Sequence, residues 1–501
     1  MFRKVLIANR GEIACRVIRT LRELGIGAVA VASEADARAK HVRMADEVRI
    51  LGPAASRESY LRVDRLIAAA KETGAEAIHP GYGFLSESEV LRDACDAAGI
   101  VLIGPPSHAL AVMGNKTRAR EAMKNAGVPI VPGATRAARD TADIIEMARE
   151  IGYPVLLKAA SGGGGKGMRL VEREADLAAA FESCTREAAS AFSDSSVYAE
   201  RAIIKPRHIE IQVFADQQGN AVYLFERECS VQRRHQKVIE EAPAAHLSDT
   251  TRRKMGEVAV QACKAIHYEG AGTLECLVDQ DENFYFLEMN TRLQVEHAVT
   301  EMITGLDLVR LQIQVAAGQP LPFAQEQLER RGHAIECRLY AEDPYDNFIP
   351  YPGPLLRYRP PMGPNVRVDD GFDEGDVVPR FYDPMIAKIA AWGPDRASAL
   401  AKVRAAVREL RVLGIRTNQR YLDTLLTHPD FVAGRYSTAL IPSMGTLERP
   451  EASDDTVAQS LALAALLEHR KVAGRRPVAA AQQASGWGQA GRAESLRRWG
   501  L

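Results

Sequence analysis

Polar side chains occupy every second position between residues 288 and 296, in an order suited to binding a metal ion at one end and an anion at the other. The series is Glu288, Asn290, Arg292, Gln294 and Glu296. Because side chains alternate across an extended chain, we expect all five groups to point the same way. Carboxylate and amide oxygens suit a divalent cation, whereas guanidinium and amide N–H groups suit a small anion. A solvated strand face is the alternative, but such a face usually mixes polar residues without order.

The segment before this series predicts a β-hairpin. Strand-like runs at Thr273–Val278 and Phe284–Glu288 flank a polar turn at Asp279–Asn283. Folding about that turn places Glu275 roughly opposite Glu288. Two carboxylates ~5 Å apart repel by about 3 kcal/mol at an effective dielectric of ~20, and a bridging Mg²⁺ would remove the conflict. An exposed acidic hairpin with a slipped turn, which separates the two groups, is the alternative.

A run of four glycines lies within Ser161–Met168 and follows a strand-like run at Pro154–Lys158. Ordering consecutive glycines costs more backbone entropy than ordering any other residue, so an ordered loop here indicates close backbone approach to a ligand. Backbone N–H groups of such loops bind phosphate. The sequence does not match a P-loop, because no Ser or Thr follows the lysine in the required frame. A flexible surface linker is the alternative, and the flanking strand with Lys158 and Lys166 favours phosphate.

Two further stretches carry polar groups that could face a ligand. The segment 227–237 is cationic, and its His235 and Lys237 could share one face of an extended chain. A basic surface loop is the alternative. The segment 208–213 alternates as a strand does, which would turn three polar residues toward a cleft: His208, Glu210 and Gln212. A structural role for His208 is as plausible as ligand binding.

Composition excludes several functional classes. The chain has 501 residues, 46% hydrophobic and 26% charged, with a net charge of −1, which is ordinary for a globular protein of about three domains. No basic excess indicates nucleic-acid or membrane-surface binding, and no apolar run is long enough for a transmembrane helix. The N-terminus turns polar too soon for a signal peptide.

Seven scattered cysteines predict reduced thiols in a cytoplasm, without a zinc or dithiol motif. Cys229 lies in a polar, basic stretch and could be a reactive thiol, but an ordinary half-buried cysteine is the favoured interpretation.

The elements that must position these groups can be outlined from apolar patterning. The first ~110 residues alternate strands, at 5–8, 28–32, 77–79 and 101–104, with helices such as 12–24, which predicts a parallel sheet with right-handed crossovers. The first turn, Asn9–Glu12, lacks GxGxxG, so dinucleotide binding is not expected. Later in the chain we expect a strand at 334–340 and helices at 396–413 and 456–469.

Seven stretches of the chain together resemble the biotin carboxylase family of the ATP-grasp superfamily. They occur in order and at the family's spacing, over about residues 2–443: Ile7–Ile13, His79–Glu87, Met113–Lys116, the glycine loop, Arg207–Gln212, Gln232–Lys237 and Glu288–His297. The resemblance implies an α/β fold (α+β overall). Its expected parts are a Rossmann-like N-terminal domain at 1–112, an ATP-grasp domain at 113–332, a biotin carboxylase C-terminal domain at 333–445 and a helical, partly ordered tail at 446–501.

The resemblance also implies roles for individual residues. ATP would be bound by Lys116, Lys158, Gly164, Gly165, Lys166, Glu200, Ile203, His208, Gln232, His235, Glu275 and Glu288. Mg²⁺ or Mn²⁺ would be ligated by Glu275, Glu288 and Asn290. Bicarbonate would be bound by Lys237, Arg292, Gln294 and the Val295 backbone, with Glu296 as general base. Biotin would lie against Tyr82, Gly83 and Arg338. The catalytic set would be Arg292, Glu296, Lys237 and Arg338.

The implied activity is that of an ATP-dependent carbon–nitrogen ligase. Bicarbonate would carboxylate biotin by way of carboxyphosphate, as the first half-reaction of an acetyl-CoA or other acyl-CoA carboxylase, a step of fatty acid biosynthesis. No Ala-Met-Lys-Met motif occurs, so we expect the biotin on a separate carrier protein, with separate carboxyltransferase subunits. The family also implies a homodimer, whose interface we expect near Arg16, Arg19 and Glu23, and the cysteines indicate a cytoplasmic location.

Two departures and two alternatives accompany the resemblance. Arg201 stands where the family commonly has lysine, which leaves the contacts to adenine open. The tail is longer than in the shortest members and looks like the segment after this domain in acyl-CoA carboxylase α chains. One alternative is another ATP-grasp ligase, such as one that makes carbamoyl phosphate, but it would need a duplicated core. The other is an inactive nucleotide-binding scaffold, which the complete set of site residues argues against.

Overall fold

The computed structural model describes residues 1–134, 136–159, 168–192, 194–445, 447–449 and 454–474. The chain divides into two compact units, Met1–Thr446 and Leu447–Leu501. In the described part of the second unit, one helix spans Asp454–Gly474 (α16 in the numbering below), and it includes the predicted helix at 456–469.

The N-terminal part contains a five-stranded parallel sheet, as the alternating pattern predicts. In chain order its elements are β1 Lys4–Ile7, α1 Gly11–Glu23, β2 Gly27–Ser33, α2 Lys40–Met44, β3 Glu47–Gly52, α3 Val63–Thr73, β4 Ala77–His79, α4 Glu89–Ala98 and β5 Val101–Leu102. The strand order is β3-β2-β1-β4-β5, with all neighbours parallel. The four predicted strands are confirmed, although β5 ends two residues earlier than expected, and β3 was not predicted.

A small antiparallel sheet forms one lobe of the central region. Its surroundings are α5 Ser107–Met113, α6 Lys116–Asn125, α7 Thr141–Ile151, β6 Val155–Ala159, β7 Met168–Val171, α8 Glu174–Phe192 and β8 Val197–Arg201. The strand order is β7-β6-β8. Apolar side chains of α7 and α8, including Ile144 and Leu177, pack against buried Val155 and Leu157 of β6. This packing leaves Lys158 half-buried on the other face of β6.

A large antiparallel sheet carries most of the candidate site residues. The elements up to α11 are β9 Arg207–Ala215, β10 Ala221–Arg233, β11 Gln236–Ala242, α9 Asp249–Ala265, β12 Gly270–Val278, β13 Phe284–Asn290, α10 His297–Thr304 and α11 Leu308–Ala316. The eight-stranded order is β13-β12-β9-β10-β11-β14-β21-β19, so strands on both sides of the expected boundary at 332/333 belong to one sheet.

The remaining elements of the first unit surround the end of this sheet. They are β14 His333–Tyr340, β15 Glu342–Asp343, β16 Ile349–Pro350, β17 Gly353–Pro354, β18 Arg357–Arg359, β19 Val366–Asp370, β20 Val377–Val378, β21 Met385–Gly393, α12 Arg396–Glu409, β22 Arg411–Leu413, α13 Gln419–Thr427, α14 Pro429–Val432 and α15 Leu440–Ser443. Short 3₁₀ turns lie at Glu34–Asp36, Ser56–Glu58 and Gln325–Gln327.

Two predicted elements are wrong in extent. The helix expected at 396–413 ends at Glu409, and β22 pairs with β18, with Arg357 opposite Leu413. The extended chain expected as far as Glu296 ends at Asn290, because Thr291 and the residues after it form an irregular loop that leads to the N-cap position of α10 at Glu296. The five polar groups therefore converge through a loop rather than along one strand.

Among the helices of the described residues, none combines the length and apolar character needed to cross a membrane.

Candidate active site

The polar face of β9 forms the floor of the site. Ile209, Ile211 and Val213 point into the core that includes Met255 of α9, so the alternate side chains must lie on the opposite face of the sheet. Those side chains are buried and polar: His208, Glu210 and Gln212. Buried polar groups require partners, and here the partners come from β10, β11, β12 and the loop after β13.

Lys237 of β11 lies at the centre of a cluster of acidic groups. Its Nζ contacts Glu210 Oε2 at 2.5 Å, Glu275 Oε1 at 2.8 Å and Glu296 Oε1 at 2.5 Å. Burial alone would lower the pKa of Lys237, but the three carboxylates outweigh it and raise the pKa well above its usual range. The lysine is therefore a fixed positive charge among groups from three different parts of the chain.

Arg227 of β10 lies opposite Glu210 in the strand register and is fully buried. Its guanidinium donates to Glu210 Oε1 at 2.5 Å and to Gln212 Oε1 at 2.6 Å. It also donates to Gln294 Oε1 at 3.0 Å. Gln294 in turn donates from Nε2 to Glu275 Oε1 at 2.7 Å, which leaves one N–H of that amide for a ligand.

The hairpin places Glu275 directly opposite Glu288, which confirms the pairing predicted from the turn. Desolvation by the surrounding protein raises the pKa of Glu288, and repulsion from the neighbouring Glu275 carboxylate raises it further. Asn290 Nδ2 donates to Glu275 Oε1 at 2.9 Å. Two crowded carboxylates beside an amide oxygen form a hard-oxygen donor set, so Glu275, Glu288 and Asn290 fit Mg²⁺ or Mn²⁺.

A second cluster of possible metal ligands, among the described residues, is less suited to a metal. Ligand atoms of His208, Glu210 and Glu275 lie within 4.8 Å of one another. However, the ammonium group of Lys237 already contacts both of these carboxylates. Burial lowers the pKa of His208, but the Glu275 carboxylate, 3.0 Å from Nε2, outweighs burial and raises it.

The loop after β13 is held by a carboxylate from the N-terminal sheet region. Glu87 accepts from the Thr291 backbone N–H at 2.8 Å, from Thr291 Oγ1 at 3.0 Å and from Arg292 Nε at 3.0 Å. Arg292 Nη2 donates to Asn290 Oδ1 at 2.9 Å. With a side-chain exposure of 21%, Arg292 is open enough to meet a ligand.

Glu296 is held between two cations. Its Oε1 contacts Lys237, and its Oε2 accepts from Arg338 Nη2 at 2.9 Å. Burial would raise the pKa of Glu296, but Lys237 and Arg338 outweigh burial and hold it well below its usual range. Arg338 Nε also donates to Glu240 Oε1 at 2.5 Å. The ionised Glu296 therefore lies between a lysine and an arginine that could both bind an anion.

Groups expected around a nucleotide lie at the other end of this cluster. Lys158 Nζ contacts Glu200 Oε2 at 2.5 Å, and Arg120 binds the other oxygen of that carboxylate. Burial lowers the pKa of Lys116, and the Glu288 carboxylate opposes this effect. The carboxylate of Glu200 is thus committed to cations. Gly164, Gly165 and Lys166 lie outside the described residues.

His208 and Gln232 contact each other, but His235 does not share a face with Lys237. Gln232 Nε2 lies 2.9 Å from His208 Nδ1. His235 lies in the exposed turn between β10 and β11 with φ of 66°, whereas Lys237 belongs to β11 and is directed inward. The extended segment assumed for this pair is wrong, because the hairpin reverses there.

The groups expected near biotin lie on two elements. Arg338 belongs to β14, and Tyr82 and Gly83 belong to the loop after β4. Asn9 Nδ2 holds this loop by donating to the Tyr82 carbonyl at 2.7 Å. Gly83 has φ of 68°, in the left-handed region that favours glycine.

Known proteins resemble the chain along almost all of its first unit. Residues 1–110 match the family model described as "Biotin carboxylase, N-terminal domain", and residues 336–443 match "Biotin carboxylase C-terminal domain". Residues 115–324 match "Carbamoyl-phosphate synthase L chain, ATP binding domain". The biotin carboxylase of Halalkalibacterium halodurans is 49% identical over 441 residues, which cover 88% of this chain and 97% of that protein. The chain belongs to the biotin carboxylase family. By family it is an ATP-dependent ligase.

Two other comparisons define how far the similarity extends. The mitochondrial methylcrotonoyl-CoA carboxylase subunit alpha of Dictyostelium discoideum is 53% identical over 92% of this chain, and the match covers 66% of that subunit's length. The biotin carboxylase domain dimer of Hydrogenobacter thermophilus 2-oxoglutarate carboxylase, solved with Mg-ADP, ADP and bicarbonate, has a TM-score of 0.85. It is 44% identical, and the match covers 90% of this chain and 100% of that one.

Several residues of the candidate site were not predicted to have a role. Glu87, Arg227 and Glu240 each bind a predicted site residue directly. Glu87 ends a family stretch, and Arg227 begins the cationic segment, so both were visible without an assignable role. Cys229, in contrast, is fully buried, and burial raises the pKa of its thiol well above the usual range, which argues against a reactive thiol.

Proposed function

We propose that the chain catalyses carboxylation of biotin by bicarbonate with cleavage of ATP. The observation that carries this proposal is the position of Glu296 between Lys237 and Arg338, beside Gln294 and within one loop of Arg292. This arrangement combines a base with several donors for a small planar anion. Family membership supports the same reading, as does the bicarbonate named in the related domain structure.

In this proposal, bicarbonate is bound by Lys237, Arg292, Gln294 and the Val295 backbone. An anion that takes hydrogen bonds from Lys237 weakens the contact of this cation with Glu296, so the pKa of Glu296 rises toward that of a useful base. Glu296 then accepts the proton of bicarbonate, and a bicarbonate oxygen attacks the γ-phosphorus of ATP. The bond to ADP breaks, and carboxyphosphate forms.

The nucleotide is proposed to lie between the small sheet and the large one. Lys116, Lys158, His208, Gln232 and His235 would contact it, together with the glycine-loop residues Gly164, Gly165 and Lys166. Because the Glu200 carboxylate is bound by Arg120 and Lys158, we propose that Glu200 and Ile203 meet adenine through their main chain. Glu275, Glu288 and Asn290 would hold Mg²⁺ or Mn²⁺. When bound, the ion would neutralise charge on the phosphates.

Biotin is proposed to bind between Arg338 and the loop of Tyr82 and Gly83. Carboxyphosphate breaks into CO₂ and phosphate, the phosphate takes the proton of the biotin nitrogen, and that nitrogen forms a bond to the carbon of CO₂. Arg338 would stabilise the negative charge on the ureido oxygen, since a guanidinium stays charged and offers paired donors.

The test is ADP release by the purified chain with Mg-ATP and free biotin, in degassed buffer with and without added bicarbonate. We expect ADP release to depend on bicarbonate and to increase with biotin. ADP release that is the same with and without bicarbonate would reject the proposed function.

The wider assembly is also a proposal. We propose an acyl-CoA carboxylase in which a carrier protein brings biotin and a carboxyltransferase uses it. The resemblance to a methylcrotonoyl-CoA carboxylase subunit supports this, but not acetyl-CoA or fatty acid biosynthesis in particular. Affinity purification from cells, followed by identification of the biotinylated partner and acyl-CoA assays, would test it.

A homodimer is proposed on the basis of the related domain dimer. Of the residues expected near its interface, Arg16 is 8% exposed and is bound within the chain to Glu301 at 2.9 Å and Asp307 at 2.7 Å. Arg19 and Glu23 remain candidates for the dimer interface.

The division of the chain into domains at 1–112, 113–332, 333–445 and 446–501 also stays a proposal, which limited proteolysis would test.

A cytoplasmic location remains a proposal supported by seven buried cysteines that are present as thiols. The Dictyostelium relative is mitochondrial, so cell fractionation is the appropriate test.

A further inference from the structure

Lys388 of β21 is a buried cation that contacts the proposed bicarbonate loop. Its strand lies in the part of the large sheet that the C-terminal strands form. Its side chain is 1% exposed, and its Nζ donates to the Val295 carbonyl at 2.6 Å. It lies directly opposite Arg338 of β14 in the strand register. Burying an ammonium group costs several kcal/mol unless it is paired, so an apolar residue would be the less costly choice for stability alone.

Acidic groups from two regions offset the charge of Lys388. Glu12 Oε1, from α1, lies 3.5 Å from Nζ, and Asp369 Oδ2, from β19, lies 3.7 Å away. Both distances are longer than the hydrogen bond to the Val295 carbonyl, which is therefore the shortest of these three contacts. The lysine therefore connects α1, two strands and the loop.

The preceding carbonyl of the loop is held as well. His297 Nδ1 lies 2.7 Å from the Gln294 carbonyl. A carbonyl can only accept, so this nitrogen carries the proton. Burial lowers the pKa of His297 well below its usual range, which keeps the ring neutral. Two successive carbonyl groups, those of Gln294 and Val295, are thus bound by fixed donors.

Fixing these carbonyls also sets the direction of two N–H groups. In a trans peptide the C=O and N–H groups point in opposite directions, and the peptide bonds here are trans. Binding the Gln294 carbonyl therefore orients the Val295 N–H, and binding the Val295 carbonyl orients the Glu296 N–H. Across the described residues, neither N–H group has a protein acceptor. Successive free N–H groups of this kind form an anion-binding concavity.

We propose that Lys388 is a positioning residue that turns the Val295–Glu296 peptide so that its N–H group faces the anion. This inference rests on the proposed function, because it assumes that the anion held beside Glu296 is bicarbonate. Lys388 does not touch the anion in this arrangement. It acts through the Val295 carbonyl, and the acids around it keep the ammonium group in place.

The test compares Lys388→Met with the wild type in bicarbonate-dependent ADP release. We expect the KM for bicarbonate to rise about tenfold or more, because the misdirected peptide loses an N–H donor. The KM for ATP and the affinity for Mg-ADP should stay within about twofold. Lys388→Arg, which keeps a charged donor, should recover part of the bicarbonate affinity.

Two further variants separate positioning from stability. Lys388→Met/Glu12→Gln removes one of the acids left without a cation, so it should recover stability but not the KM for bicarbonate. Arg252→Met removes another buried cation, whose partners Glu226 and Asp249 lie outside the loop, and should lower stability without changing the bicarbonate KM.

The proposal is overturned if folded Lys388→Met keeps the wild-type KM for bicarbonate. It is also overturned if the KM values for ATP and bicarbonate rise equally, or if recovery of stability in the double variant restores bicarbonate affinity. A wild-type protein without bicarbonate-dependent ADP release would reject the proposed function instead, which is a separate outcome.

Discussion

Glu240 and Glu241 are neighbours on β11, both fully buried, yet they face opposite sides of the sheet and have opposite surroundings. Glu241 accepts from the Tyr436 hydroxyl at 2.5 Å, and its other oxygen contacts His333 at 2.7 Å and Arg396 at 2.8 Å. Glu240 accepts from Arg338 through one oxygen, and its other oxygen has no hydrogen-bond partner among the residues that the structure describes.

The pKa values of the two glutamates reflect this difference. Burial raises the pKa of Glu241, but His333 and Arg396 outweigh burial and lower it to about 2. For Glu240, burial outweighs the attraction of Arg338, and Glu296 adds repulsion, so the pKa is raised to about 7. One face of the strand has matched charges that stabilise the fold. The other face has an excess of acidic groups around Arg338 and Lys237.

The largest expected effect on the site face follows replacement of Glu296. Glu296→Gln keeps the shape of the side chain but removes the proposed base. We expect bicarbonate-dependent ADP release to fall about 10²–10⁴-fold, as is typical when general base catalysis is lost. Steady-state kinetics would measure this, with Glu241→Gln as a matched control on the other face of the sheet. A rate within tenfold of the wild type would exclude Glu296 as the base.

Replacement of Arg338 should separate the two partial reactions. In Arg338→Ala we expect carboxylation of free biotin to fall about 10²–10³-fold, because a donor to the developing oxyanion is lost. Bicarbonate-dependent ATP cleavage should fall by less than about tenfold, because other donors hold the anion. Parallel assays of ADP and of carboxybiotin would measure both. Equal loss of the two activities would place Arg338 away from biotin.

On the structural face, Glu241→Gln should lower stability by about 3 kcal/mol at pH 7, because the carboxyl pKa lies about 2.5 units below its usual value. A lowered pKa stabilises the fold above pH ~4.5, and this contribution is lost as the pH falls through about 2. The difference in stability between the wild type and the variant should therefore become smaller at acidic pH. Urea unfolding at several pH values would measure it, and a deficit that does not change with pH would contradict the assignment.

Glu240→Gln should have the smallest effect, with the opposite sign. The raised pKa of Glu240 means that the wild type loses stability as the pH rises from ~4.5 to about 7, whereas glutamine does not titrate. We expect the variant to be more stable than the wild type by about 1 kcal/mol at pH 7, with the gain disappearing toward pH 4.5. The same unfolding experiment measures it. If Glu240→Gln is destabilising at pH 7, as expected for Glu241→Gln, the two faces do not differ as described.

The sequence predicts those parts of the site that follow from a local repeat. The turn at Asp279–Asn283 fixes the pairing of Glu275 with Glu288, so that contact could be predicted by folding the hairpin. The alternation of His208, Glu210 and Gln212 likewise follows from the strand period. Neither inference requires knowledge of distant segments.

Other parts of the site depend on partners far away in the chain. No local signal distinguishes Glu240 from Glu241, because their partners come from β14 and from α12 and the segment near Tyr436. The turn that separates His235 from Lys237 was hidden within a continuous polar run. Lys388 lies in an apolar strand about ninety residues after the loop that it contacts, so only the tertiary structure shows its role.

The most direct test of the central claim is the transfer of a bicarbonate oxygen to phosphate. The purified chain would be supplied with ¹⁸O-labelled bicarbonate, Mg-ATP and free biotin, and the released phosphate would be analysed by mass spectrometry before the label exchanges with water. If the anion held beside Glu296 attacks ATP, each phosphate released should carry one labelled oxygen. Phosphate that carries oxygen from water and none from bicarbonate would contradict the account.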